Sequence, residues 1–396
     1  MESDWLQELT HLEGLDLRRS LQTLASCDGA IVRMEDGTPL INFASNDYLD
    51  LARDPLLRDA AQQAVGEFGV GSGSSRLICG TTGPHVGLEE ALAAFKGTET
   101  ALTFSSGYAA AMGLGTAIFD KDTVVVMDKL CHASLIDACR LSGATLRVFR
   151  HNDLEKLEAL LAWARGKFSP DVSIVVITES VFSMDGDCAP LADMVALKER
   201  YGASMVVDEA HAIGILGEGG RGLASKLGLT DRIEIHMGTM SKSLGVSGGY
   251  LAGSVGLRDR LINKARSFIY STAPPPAMAA TAAVALRHLQ GLLGDERRTR
   301  LWALVELMAQ GLDLPTPQSA ILPMTVGGAS AALVLAAQLR EAGFFVPAIR
   351  YPTVARGQAR LRFTVTAGQS QAQVDELVVA VLRCRQLAQA PPHDWT

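Results

Sequence analysis

From about residue 100 to 255 the chain alternates short runs of apolar, β-branched residues with segments of helical periodicity, a pattern that few folds accept. The runs are ALTF (101–104), TVVVM (123–127), TLRVF (145–149), SIVVIT (173–178), SMVVD (204–208), IEIHM (233–237) and GYLAG (249–253). Unbroken apolar runs of this length suit strands covered on both faces. The expectation is therefore an α/β fold, a mostly parallel seven-stranded sheet wrapped by crossover helices. DLEKLEALLAWAR (153–165) and LADMVALKERYG (191–202) have the periodicity of those helices, with Gly202 as a stop.

A chain of 396 residues exceeds what one core usually holds. We expect an N-terminal arm over 1–45, a large domain over 46–288 and a smaller α+β domain over 289–396. DGTPLINFASNDYL (36–49) carries a turn and a short strand, and PPPAMAATAAVALRHLQGLL (274–293) starts on three prolines as a linking helix would. The small domain has strand patterns at AILPMTV (320–326) and ARLRFTV (359–365), with helices near 330–342 and 371–386.

The net charge of -7 disfavours a nucleic-acid partner, which needs clustered Lys and Arg. The six cysteines are scattered without a CxxC pair, so neither a disulfide framework nor a metal site is expected. The acidic start MESDWLQELTHLEG and the lack of a long apolar run point to a cytoplasmic protein with no membrane partner.

In open α/β sheets ligands gather at the carboxyl ends of the strands, so the residues after each run are read first. SMVVD places Asp208 at a strand end with His211 three residues on. IEIHM is followed by GTMSKSLGVSGG, which brings Thr239 and Lys242 into a loop of small residues. TVVVM leads to His132, and SIVVIT to Ser183. A lysine among Gly, Ser and Thr at the mouth of a sheet can condense with an aldehyde cofactor if its amine is held neutral. A carboxylate such as Asp208 keeps a pyridine nitrogen protonated, which makes the ring an electron sink. His211 can meet the ring hydroxyl, and His132 can lie over the ring face and reach a substrate carboxylate. A phosphate fits the start of SSGYAAAMGLG (105–115), at the N–H groups of Gly107 and Tyr108, with hydroxyls from Ser183 and Thr239. Taken singly, such a lysine is ordinarily a solvated surface group, such a histidine structural, and Asp208 a helix N-cap. Their joint position at successive strand ends is what points to chemistry. GVGSGSSR (69–76) has the glycines of a dinucleotide loop but no strand before it, so it is not read as one.

NDYL (46–49), GSGSSR (71–76), SSGYAA (105–110), HAS (132–134), ESVFSMDGD (179–187), DEAHAIG (208–214), GTMSKS (238–243), YSTAPPP (270–276) and AIRYPTVARGQARLRF (348–363) together resemble the α-oxoamine synthase family over nearly the whole chain. The resemblance implies fold type I of the pyridoxal-phosphate enzymes and a homodimer with shared active sites. It makes Lys242 the Schiff-base lysine, Asp208 the pyridinium partner, His211 the ring-hydroxyl partner and His132 the stacking residue. Gly107, Tyr108, Ser183 and Thr239 become cofactor contacts, with Thr272 reaching the phosphate from the partner subunit. Arg362 becomes the clamp for the amino-acid carboxylate, with Thr353 and Asn46 touching substrate. FSMDGD, GVSGG and AIRYPTV are most similar to the biotin-pathway branch, which joins L-alanine to a pimeloyl thioester carried on CoA or a carrier protein. A glycine C-acetyltransferase-like activity and a catalytically silent scaffold are the alternatives. Two departures stand out: Gln369 sits where the family commonly has histidine, and 21–27 lacks the arginine with which some members contact substrate.

Overall fold

The computed structural model describes residues 2–389, with side chains from 4 to 385. Residue 1 of the expected arm and residues 390–396 of the expected small domain lie outside the described residues. The chain forms two compact units. One comprises Leu51–Ser183 and Asp187–Arg298, the other Met1–Asp50, Met184–Gly186 and Thr299–Thr396.

The first unit runs α1 (Pro55–Phe68), α2 (Gly83–Lys96), β1 (Thr100–Phe104), α3 (Gly107–Ile118), β2 (Thr123–Asp128), α4 (Ala133–Ser142), β3 (Thr145–Phe149), α5 (Leu154–Lys167), β4 (Ser173–Glu179), α6 (Leu191–Arg200), β5 (Ser204–Asp208), β6 (Ile235–Thr239), β7 (Gly249–Gly253) and α7 (Pro276–Leu289). Its seven strands form one sheet in the order β1-β7-β6-β5-β4-β2-β3. Only β7 runs antiparallel, pairing with β1 and β6. All six residues of β2 are buried, as a run without polar alternation requires. Met127, Ile177 and Val206 pack with Leu114 of α3 and Leu135 of α4 in one apolar cluster over the sheet. The helices start on side-chain caps: Asp54 accepts from Leu56 N, Ser106 from Ala109 N and Asp153 from Lys156 N. His85 completes a capping box with Thr82 at the start of α2, a structural post.

Two details differ from the sequence pattern. The strand expected at 233–237 lies two residues later, because Glu234 turns aside to accept from Met205 N at 2.7 Å and Lys198 Nζ at 2.6 Å. The linking helix ends at Leu289, and a separate helix runs over Leu292–Gly311. The glycine-rich stretch 69–76 leads into a wide turn, Arg76–Gly80, whose buried Arg76 grips Glu89 at 2.8 and 3.0 Å.

In the second unit, strands Leu24–Asp28, Ile31–Met34 and Pro39–Asn42 form an antiparallel meander, extended in parallel by Phe344–Phe345. Ile321–Gly327, Ala359–Thr364 and Ala348–Ile349 make a second antiparallel sheet, accompanied by helices Ala329–Glu341 and Gln371–Gln389. No helix among the described residues is long and apolar enough to cross a membrane.

Candidate active site

At the carboxyl edge of the seven-stranded sheet, register sets Glu179 of β4 beside Asp208 of β5, and Asp208 beside Met237 of β6. A cavity of about 240 Å³ opens there, lined by Gly107, Tyr108, His132, Glu179, Asp208, His211, Thr239 and Lys242 among others. Seven of the residues singled out in the sequence are thus brought together. The strands themselves do this, because each side chain sits at or just past the end of a buried apolar run.

Lys242 follows β6, and its Nζ lies 2.9 Å from His211 Nε2. At that distance the two share one hydrogen bond, so only one of them presents a proton along it. His132 caps α4. Its Nδ1 accepts from Ser134 N at 3.3 Å and lies 2.8 Å from Ser134 Oγ, which leaves the ring proton on Nε2. Burial, helped by the charge of Lys242, lowers the His132 pKa against the pull of Asp208, so the ring is a flat neutral imidazole. Thr239 donates to Gly248 O at 2.8 Å and sits beside the first residues of α3. Gly249 allows this approach: a Cβ there would stand 2.4 Å from Ser106 O, in the turn that opens α3. The start of α3 and the Ser106 hydroxyl line this end of the cavity, where N–H groups suit an anion, while the Thr239 proton goes to Gly248 O and Ser241 Oγ donates to Thr239 at 2.7 Å.

Two buried carboxylates define the other end. Burial raises the pKa of Asp208, opposed by the charge of Lys242. Burial together with the charge of Asp208 pushes Glu179 up to about 8, again opposed by Lys242. Neither forms an ion pair among the described residues. Asp208 accepts from Ala210 N at 2.9 Å, and Glu179 accepts from His132 N. A buried acid that forms no ion pair, with Lys242 offsetting its burial only in part, fits a cationic ring nitrogen supplied by a ligand. Sequence reasoning passed over Glu179, although it sits at the end of an apolar run just as Asp208 does.

The remaining expected residues lie elsewhere. Ser183 is half-buried in the turn after β4 and does not line this cavity, and Thr272 is exposed, bridged to Ser75. Arg362 and Asn46 belong to the second unit, where buried Arg362 donates to Asn46 Oδ1 at 3.1 Å and to Thr364 Oγ1 at 2.7 Å. Next to them Tyr48 is pushed up to about 12 by burial, with Arg362 drawing it down. Thr353 accepts from Arg19 at 3.0 Å. It lines a cavity of about 840 Å³ with Arg18, Arg19 and Arg350. The stretch 21–27 is uncharged as noted, but these arginines just before it and across the fold supply positive charge that a search confined to 21–27 missed. Gln369 is fully buried, accepting from Thr366 N at 2.9 Å and donating to Asn42 O at 2.7 Å, a supporting role.

The model for "Aminotransferase class I and II" matches residues 38–381. A protein named 8-amino-7-oxononanoate synthase from Anaeromyxobacter dehalogenans is 45% identical over 384 residues, covering 96% of this chain and 94% of that one. The chain belongs to the class I and II aminotransferase family, in its α-oxoamine synthase branch. The solved structure of serine palmitoyltransferase from S. paucimobilis with bound PLP superimposes with a TM-score of 0.91 at 29% identity, covering 97% of each chain. The 8-amino-7-oxononanoate synthase structure from Francisella tularensis gives 0.75 at 28% identity, with 89% of this chain and 99% of that one covered. This α-oxoamine synthase is accordingly a fold type I, pyridoxal-phosphate-dependent acyltransferase, and the cavity at the sheet edge has the donor set such a cofactor needs.

Proposed function

We propose that the enzyme joins L-alanine to a pimeloyl thioester in biotin biosynthesis, giving 8-amino-7-oxononanoate, carbon dioxide and CoA or a carrier-protein thiol. The name of its relatives supports this choice of substrates. The observation that carries it is the cavity lined by Arg18, Arg19 and Arg350 together with Glu13 and Asp16: Arg18 is paired with Glu13 at 2.9 Å, and the three guanidinium groups outnumber the two carboxylates, an excess that suits an acyl chain ending in a carboxylate. An acetyl or palmitoyl chain has no use for that charge.

Pyridoxal phosphate, when bound, supplies an aldehyde that links to the amino acid and a ring that draws negative charge from its α-carbon. Lys242 would hold the cofactor through its amine, and the same amine, when free, would remove the α-proton of alanine and return one at the end. Asp208 keeps the ring nitrogen protonated, His211 hydrogen-bonds the ring hydroxyl, and His132 covers the ring face with its neutral imidazole. Gly107 and Tyr108 offer their N–H groups to the phosphate end beside Thr239, and Ser183, which does not line the cavity, supports the site from the turn after β4. Arg362 clamps the alanine carboxylate, with Asn46 and Thr353 beside substrate. The α-carbon then bonds to the thioester carbonyl carbon, the C–S bond breaks, the thiol leaves, and the alanine carboxylate departs as carbon dioxide. The working form is a homodimer in which Thr272 of one copy serves the site of the other.

Thiol release from a matrix of alanine, glycine and serine against pimeloyl-, acetyl-, succinyl- and palmitoyl-CoA tests this reading. Alanine with pimeloyl-CoA should exceed every other pair by about a hundredfold in kcat/KM. Arg19→Leu should raise KM for pimeloyl-CoA by about tenfold. A preference for glycine with acetyl-CoA would reassign the enzyme within its family.

A further inference from the structure

His151 lies just past β3 with each ring nitrogen against a carboxylate. Nδ1 is 3.2 Å from Asp128 Oδ1, and Nε2 is 2.8 Å from Asp187 Oδ2. Ionised carboxylates only accept, so both nitrogens must donate and the ring is an imidazolium. Burial opposes this charge, but the hydrogen bonds and charges of Asp128 and Asp187 outweigh it and push the pKa up to about 10. The ring stands edge-on to Phe182, with centroids 4.3 Å apart. Asn152 reinforces the arrangement from a left-handed backbone, φ 55°: its N–H donates to Asp128 Oδ2 at 2.8 Å and its Nδ2 to Asp187 Oδ2 at 3.0 Å.

Each of the two aspartates sits in a loop that carries an expected site residue, Asp128 shaping its loop through the carboxylate and Asp187 through its backbone carbonyl. Asp128 ends β2 and accepts from Leu130 N at 2.8 Å, which shapes the turn that delivers His132 to the cavity. Asp187 closes the turn after β4 through Phe182 N to Asp187 O at 3.0 Å, and Ser183 lies within that turn. None of the three clasp residues lines the cavity. We propose that His151 is a positioning residue, an ionic clasp between Asp128 and Asp187 that holds the His132 and Ser183 loops in register for the cofactor. This rests on reading the Lys242 cavity as the cofactor site.

The test compares the parent, His151→Leu, and His151→Leu combined with Asp187→Asn, which removes the carboxylate repulsion that the single change leaves behind. Each protein is titrated with pyridoxal phosphate, and its visible circular dichroism and thermal midpoint are recorded. The double variant should melt near the parent, yet bind the cofactor about tenfold more weakly and with a diminished visible band, because charge balance returns but the bridge does not. His151→Gln, whose amide can donate to one carboxylate, should fall between. A folded double variant with the parent's affinity and visible band overturns the inference alone. A parent whose cofactor is borne by a lysine other than Lys242 overturns the site reading and the inference with it.

Discussion

Asp208 and Glu209 are consecutive and both buried, yet the sheet edge treats them in opposite ways. Glu209 faces packed protein: Lys96, itself buried, pairs with it and also donates to Arg221 O at 2.6 Å, while Ala224 N donates to Glu209 at 3.0 Å. His236 Nδ1 stands 3.9 Å away. Burial alone would raise the Glu209 pKa, but the charge of Lys96, with that of His236, outweighs it and brings the pKa to about 2. Asp208 and Glu179 beside it face the cavity and form no ion pair among the described residues; burial raises both, and the charge of Lys242 on the same cavity wall offsets this only in part. A buried carboxylate with a cation built into the chain is structural. One without it is set to receive a cation from outside. Among chemically similar acids, the fold thus separates the one paired within the protein from those that face the cavity.

The largest test of that contrast is Lys242→Ala, which should lower kcat by about 10⁴-fold or more and abolish the visible absorption of the loaded enzyme with little loss of thermal stability. Lys96→Met should do the reverse. It strands Glu209 without a partner and should cost about 3–5 kcal/mol by denaturant unfolding, with kcat per folded molecule nearly unchanged. Asp208→Asn should lower kcat by about 10²–10³-fold and shift the visible band, while the melting midpoint holds or rises. If it destabilised the fold as Lys96→Met does, the distinction between the two acids would fail.

The smallest effect concerns Glu179 in the cofactor-free protein. Its pKa is about 8 folded against 4.5 as the ordinary value. The folded state therefore binds a proton more tightly, and this contribution to stability is full below about 4.5 and lost as pH rises through 8. Glu179→Gln keeps an acceptor for His132 N and cannot ionise. Melting of the cofactor-free proteins between pH 5 and 9 should fall more steeply for the parent than for the variant, and equal slopes would remove Glu179 from the account.

The same contrast explains what could be read from the sequence. Asp208, His211, His132, Thr239 and Lys242 were legible because each follows a strand whose apolar run announces it, and strand ends share an edge by topology. Helix Leu292–Gly311 was not, since its buried stripe of Leu301, Leu304, Val305 and Met308 occupies only the second half and is masked in the sequence by Leu292, Trp302 and Leu307 off that face. The short strand expected within 36–49 is Pro39–Asn42, whereas Leu24–Asp28, which buries no side chain fully, and the four-residue Ile31–Met34 are too short to announce themselves. Arg18 and Arg19 escaped because the cavity they line is completed by Arg350 and Thr353, more than three hundred positions away. His151 was passed over for the same reason, since its partners Asp128 and Asp187 lie on either side of it in the chain and are brought together only by the sheet.

The central claim is that Lys242 carries the cofactor, and borohydride reduction of the loaded enzyme followed by peptide mass mapping tests it most directly. The account predicts one modified peptide, bearing a reduced pyridoxyl group on Lys242, and none in Lys242→Ala. A pyridoxyl group on Lys96, Lys264 or any other lysine of the parent, or on none, would contradict it.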